Sequence, residues 1–245
     1  MNTLYLIGQL IIILLVFGLI KSLQFGLRHA FDQLQLKGQQ LNYILAGVVL
    51  WLAILSCLAF LGFFQNFNSW PPRVFFALIP PVVLSVALLF SPFFRLLLKT
   101  IPASWLVYIQ AFRILMELFL WLGYKAGYVP PQMTFEWLNF DIIVGITAPM
   151  AGFIFFGQGR FRKPEAILWN IFGMVLLINI LIIATLSTPA PWRVFYNEPA
   201  NTFVAAFPFI WIPGFIVPFA LSMHIFSLYQ VFNSKRDKIR FSLRR

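Results

Sequence analysis

From its N-terminus, the chain is a series of apolar blocks about 20 residues long, set apart by short polar segments. A hydrocarbon core about 30 Å thick is crossed by about 20 helical residues at about 1.5 Å each. Seven stretches meet that length: 3–22, 42–64, 73–94, 102–124, 138–157, 165–187 and 206–231. The third carries Pro80 and Pro81 at its middle and Pro92 near its end, where missing backbone donors predict a kink or a break. The seventh holds Pro208, Pro213 and Pro218 and is expected to bend. The pattern predicts an all-α membrane protein, with a seven-helix transmembrane domain over residues 1–233 and a basic cytoplasmic tail over 234–245.

One polar segment has a pattern of its own. Between Lys21 and Gln40, Leu23, Leu27, Phe31 and Leu34 recur at helical spacing among Gln, Arg and Asp. A single apolar stripe beside basic residues predicts an interfacial amphipathic helix after the first span.

Composition agrees with a lipid solvent. Of 245 residues, 61% are apolar and 10% charged, whereas a soluble domain carries about 25% charged residues. Soluble enzymes, secreted modules, disordered regulators and coiled coils are excluded. The net charge of +11 could suggest nucleic acid, but its distribution reads as orientation. With the N-terminus outside, the inner segments hold Lys21, Arg28, Lys37, Arg95, Lys99, Arg160, Arg162, Lys163 and the six Lys and Arg of the tail. The outer loops hold only Arg73, Lys125 and Arg193. The expectation is N-out and C-in, in an inner (plasma) membrane, with anionic lipid headgroups at the tail and no nucleic acid partner. The first apolar block lacks a preceding basic region and is read as a retained helix.

Little cofactor chemistry is supported. Cys57 is the one cysteine, expected as a small core hydrophobe, and His29 and His224 are the only histidines. Di-iron boxes, three-His zinc sites and bis-His haems lack ligands, so no metal and no cofactor are expected. Trp70, Trp137, Trp192 and Tyr196 in the outer loops fit an aromatic belt. The longest of these loops, 188–201, is expected to anchor at the interface rather than cover the bundle.

Candidate chemistry is concentrated in the fourth span. Gln110, Arg113 and Glu117 fall within about 60° on one helical face. Arg113 sits about 16 Å deep, near the midplane. Arg113 and Glu117, four residues apart, can pair along the helix. In the fifth span Asp141 shares a face with Gly145, Ala148 and Gly152, small residues that let a neighbouring helix come close. Intramembrane charges are costly and face the bundle interior. Arg113, Glu117, Asp141 and Gln110 are therefore the expected ligand-binding set, with Asn139, Asn179 and His224 as weaker candidates.

The seven-span, N-out layout resembles microbial rhodopsins, which would imply a retinal lysine in the seventh span. Ala206 to Phe232 contains no lysine, so the resemblance ends at topology. The Gly-x-Ser-Gly and Glu-Glu-x-x-x-Arg motifs of two membrane-protease families are absent as well. The expected function is recognition of a small polar or anionic solute for transport or sensing, Arg113 supplying positive charge. The alternatives are a structural or assembly subunit held to a protein partner by the same charges, and, lowest, a lipid-modifying enzyme. A non-enzymatic role is favoured because no nucleophile or metal set accompanies the carboxylates.

Overall fold

A computed structural model describes residues 3–234, and all regular elements among them are helical. In chain order the helices are α1 (Thr3–Gln33), α2 (Gly38–Phe60), α3 (Phe75–Leu88), α4 (Pro92–Thr100), α5 (Ala103–Tyr108), α6 (Arg113–Lys125), α7 (Ile142–Phe156), α8 (Lys163–Leu186) and α9 (Val217–Phe232). A 3-10 turn, Ile109–Phe112, joins α5 to α6, and a π turn, Ile212–Ile216, leads into α9. Among the described residues, six continuous helical stretches are long and apolar enough to cross a membrane, and the bent pair α3–α4 makes up to seven. The basic tail expected from residue 234 onward lies, beyond Ser234, outside the described residues.

Three expectations are corrected. First, no separate interfacial helix follows the first span. Residues 21–33 are the last turns of α1, which runs unbroken for 31 residues. No proline interrupts this stretch, and the single Gly26 faces the Trp105 ring, so packing holds the helix together there. Second, of the prolines expected to kink or break the third span, Pro80 and Pro81 lie inside an unbroken α3, and only Pro92 marks the break, where the chain turns by 85°. There the Ser91 side chain accepts from Phe94 N, and Pro92 occupies the first helical turn, where its missing donor costs nothing. Third, Cys57 is exposed on α2; the buried face of that helix is carried by Leu52, Leu55 and Ala59.

The α3–α4 pair reaches from one end of α9 to the other. α3 packs on the π turn at the start of α9 and is tied to its middle by a Ser85–Ser222 hydroxyl contact of 2.6 Å. Farther along α9, Gln230 donates to the carbonyls of Leu98 and of Ile101, the latter at 2.8 Å, fixing the α4–α5 junction at the opposite end. Helices α5, α6, α7, α8 and α9 pack on one another around buried polar residues. Much of α1 and α2 is exposed apolar surface, as lipid-facing helices require.

Candidate functional site

Close approach of α7 to α6 builds the site. A Cβ on Gly145 would stand 2.8 Å from the backbone nitrogen of Ile114, so only glycine allows this approach. One turn earlier, Asp141 is thereby brought onto the Arg113 guanidinium. Nε of Arg113 donates to Oδ2 of Asp141 at 2.6 Å and Nη2 donates to Oδ1, a bidentate pair. Arg113 is 1% exposed and Asp141 4%.

The guanidinium is satisfied on its other side too. Nη1 lies 3.1 Å from Nε2 of His224, and Nη2 reaches the Gly173 carbonyl at 3.4 Å. Arginine only donates, so Nε2 of His224 accepts and the ring proton resides on Nδ1. From Nδ1 it is donated to Oδ1 of Asn170 at 3.0 Å. Asn170 Nδ2 in turn donates to Ser227 Oγ at 3.0 Å and to the Ala166 carbonyl at 2.7 Å. A continuous ladder results: Asp141, Arg113, His224, Asn170, Ser227. Gly173 makes room for it, since a Cβ there would lie 2.6 Å from His224 Nε2.

Glu117 does not join that ladder. Both of its carboxylate oxygens accept from Asn139 Nδ2, each at 2.7 Å. Asn139 also donates to the Met133 carbonyl at 3.0 Å, and its Oδ1 accepts from the Asp141 backbone N at 3.0 Å. The Arg113–Glu117 pairing expected along the helix is replaced by this cross-helix arrangement, because the bidentate geometry of Asp141 captures the guanidinium.

Arg113, Glu117 and Asp141 all stand on the wall of one cavity of about 110 Å³. This is well above the roughly 10–15 Å³ that holds one water. Its walls come from α3, α6, α8 and the π turn, and are otherwise almost wholly apolar. Thr188, Asn201, Phe203 and Val204 complete the lining, so the long loop expected to serve as an anchor contributes directly to the cavity. That loop is held by Gln132, which donates to Ser187 Oγ at 2.8 Å and accepts from Asn197 Nδ2 at 3.2 Å. Nearby, a wider vestibule of about 620 Å³ shares Phe67 and Phe203 with the cavity. Tyr128 lines the vestibule, and burial, followed by the neighbouring Tyr5, pushes its phenol up to about 12.

The other expected residues divide. Gln110 points elsewhere, donating to the Ala220 carbonyl at 2.9 Å, and is not on the cavity wall. Asn139 and His224 are buried partners of the charged residues. Asn179 binds the Leu138 carbonyl at 2.9 Å, apart from the cavity. Asn201, which no sequence pattern singled out, is 1% exposed and lines the cavity. Among the described residues no group of three or more His, Cys, Asp or Glu is placed to hold a metal ion.

A family model described as "Domain of unknown function (DUF8737)" matches residues 71–232. The match spans α3 to α9 and therefore every residue of the ladder and of the Glu117–Asn139 contact. No curated protein and no solved structure matches the chain.

Proposed function

The chain belongs to the DUF8737 family, and we propose that it is a seven-span protein, N-terminus outside, whose intramembrane cavity receives a small solute for transport or sensing. The observation that carries this reading is the cavity itself, a space of about 110 Å³ with the buried Glu117, Asp141, Arg113 and Asn201 on a largely apolar wall. Ligand sites combine these features, apolar walls with a few convergent polar groups. Transport or sensing is favoured over catalysis because, among the described residues, no nucleophile is hydrogen-bonded to Glu117 or Asp141. Crossing by α3–α4 is supported by its packing on the π turn at the start of α9 and by the Gln230 contacts near the end of α9. The N-out orientation is supported by the inner-side excess of Lys and Arg.

Arg113 has a different role from the one its charge first suggests. Its guanidinium is held by Asp141, His224 and Gly173, so it positions α6, α7, α8 and α9 rather than greeting an anion. The packing role once set against ligand binding thus belongs to Arg113 and Asp141, and the ligand role to Glu117.

Ala184 lines the cavity on α8. Ala184→Phe, whose ring would occupy the space, should abolish the thermal stabilisation that a binding solute gives the wild type in a screen of small polar solutes. A solute that stabilises both proteins equally would count against the cavity. Protease accessibility of terminal tags in intact cells should show the N-terminal tag cut and the C-terminal tag protected. The reverse pattern would overturn the orientation.

A further inference from the structure

The polar atoms on the cavity wall offer a ligand one kind of interaction. Asn201 Nδ2 donates to the Ala184 carbonyl at 2.9 Å, which fixes the amide orientation and leaves Oδ1 as the free end. That oxygen is buried and has no hydrogen-bond partner. Such an orphaned acceptor is costly unless something donates to it. Glu117 offers two carboxylate oxygens that share a single amide group, Asn139 Nδ2, and so retain unused lone pairs. Thr185 and Thr188, also on the wall, direct their hydroxyl hydrogens to the Leu181 and Thr185 carbonyls at 2.8 and 2.7 Å, leaving oxygen lone pairs. The one cation on the wall among the described residues, Arg113, is already matched by Asp141.

Resting on the reading of this cavity as a ligand site, we infer that its ligand is a donor: a small alkylammonium, with a protonated amine directed to Glu117 and Asn201 and an apolar body against the α3 and α8 walls. An anion would find acceptors facing it and no unpaired cation. An ammonium carries three donors, which suits several acceptors around one small space. The apolar body replaces contacts that water would make poorly with Leu78, Leu177 and Leu181.

The test uses the full chain in detergent, with unfolding followed by tryptophan fluorescence against n-butylammonium, n-butanol and n-butyrate. These probes share an apolar body and differ in the head. Saturable stabilisation is expected with butylammonium, at an apparent affinity about tenfold above butanol, because a charge-assisted hydrogen bond exceeds a neutral one by that order. Butyrate should give no saturable effect. Glu117→Gln should bring butylammonium down to the level of butanol; if that variant fails to fold, the ranking of the three probes on the wild type decides alone. Butyrate binding best, or butylammonium and butanol binding equally, would overturn the ligand class and leave the cavity as a site. No saturable response to any of the three would overturn the ligand class and the cavity reading together. A butylammonium response that persists in Ala184→Phe would place the binding elsewhere and overturn the inference.

Discussion

Helix α6 carries two buried charges one turn apart, and their surroundings differ in kind. Around Arg113 the hydrogen bonds close on themselves, from Asp141 on one side through His224 and Asn170 to Ser227 on the other. Around Glu117 they stay open, with one amide donor shared between two oxygens and an unpartnered Asn201 oxygen on the same cavity wall. On the Arg113 side the charges are matched within the protein, and the network fixes helix positions. Open acceptors on a largely apolar cavity wall cost stability until a donor arrives, which is why the proposed ligand is placed there. Burial and charge alone would rank the two residues equally; counting donors and acceptors separates them.

Breaking the closed side should have the largest effect. Asp141→Ala leaves the Arg113 guanidinium buried without its counter-ion, a loss of about 3–5 kcal/mol. It should appear as a large fall in the unfolding temperature or as absence of folded protein. Replacing both partners with apolar residues, Arg113→Met with Asp141→Leu, should recover most of that loss, because the penalty comes from the uncompensated charge. Failure of the double variant to recover would mean that the pair also carries a role beyond charge balance.

Gly173→Ala tests the same ladder through shape. The added methyl would press on the His224 ring and should cost about 1–3 kcal/mol, read as a lower denaturant midpoint at unchanged slope. On the open side, Glu117→Gln should change stability by about 1 kcal/mol or less, since the new amide oxygen still accepts from Asn139. The contrast between Asp141→Ala and Glu117→Gln on one instrument measures the difference between the two regions. A loss with Glu117→Gln as large as that with Asp141→Ala would erase it.

The smallest effect lies outside the membrane. Glu136 accepts from the Trp121 indole at 2.8 Å and from Lys125 at 3.1 Å, and these contacts, the indole first, hold its carboxyl below the usual range. A carboxyl lowered in the folded state stabilises above its unfolded pKa of about 4.3, and that contribution is lost as pH falls through the lower folded value. Glu136→Gln should therefore differ slightly from wild type near neutrality and converge with it in acid. Divergence in acid would contradict the assignment.

How far the sequence disclosed this arrangement depended on the kind of interaction. Apolar blocks of spanning length gave the helices, because lipid imposes that length on any crossing segment. The small stripe Asp141, Gly145, Ala148 and Gly152 gave the close face of α7, and Gly145 indeed lies against the Ile114 backbone. Depth alone placed Arg113, Glu117 and Asp141 as interior charges. Partner choice was not legible. Arg113 and Glu117 are neighbours along the helix, but a bidentate carboxylate from another helix wins the guanidinium, and only packing decides which carboxylate arrives. Asn201 was invisible because an asparagine in a proline-rich loop ordinarily faces water. Its burial depends on Gln132 and Ser187 holding that loop. The sequence named three prolines for a break in the third span, and which of them breaks it was local, set at Pro92 by the Ser91 cap.

Selective chemical reactivity distinguishes the two carboxylates, Glu117 and Asp141. A small, lipid-soluble carbodiimide adds to carboxyl groups that are free in an apolar setting and leaves a stable acylurea, which peptide mass spectrometry locates. An adduct is expected at Glu117, suppressed by butylammonium, and none at Asp141, whose oxygens are both engaged by Arg113. An adduct at Asp141 with Glu117 unmodified would contradict the contrast between them.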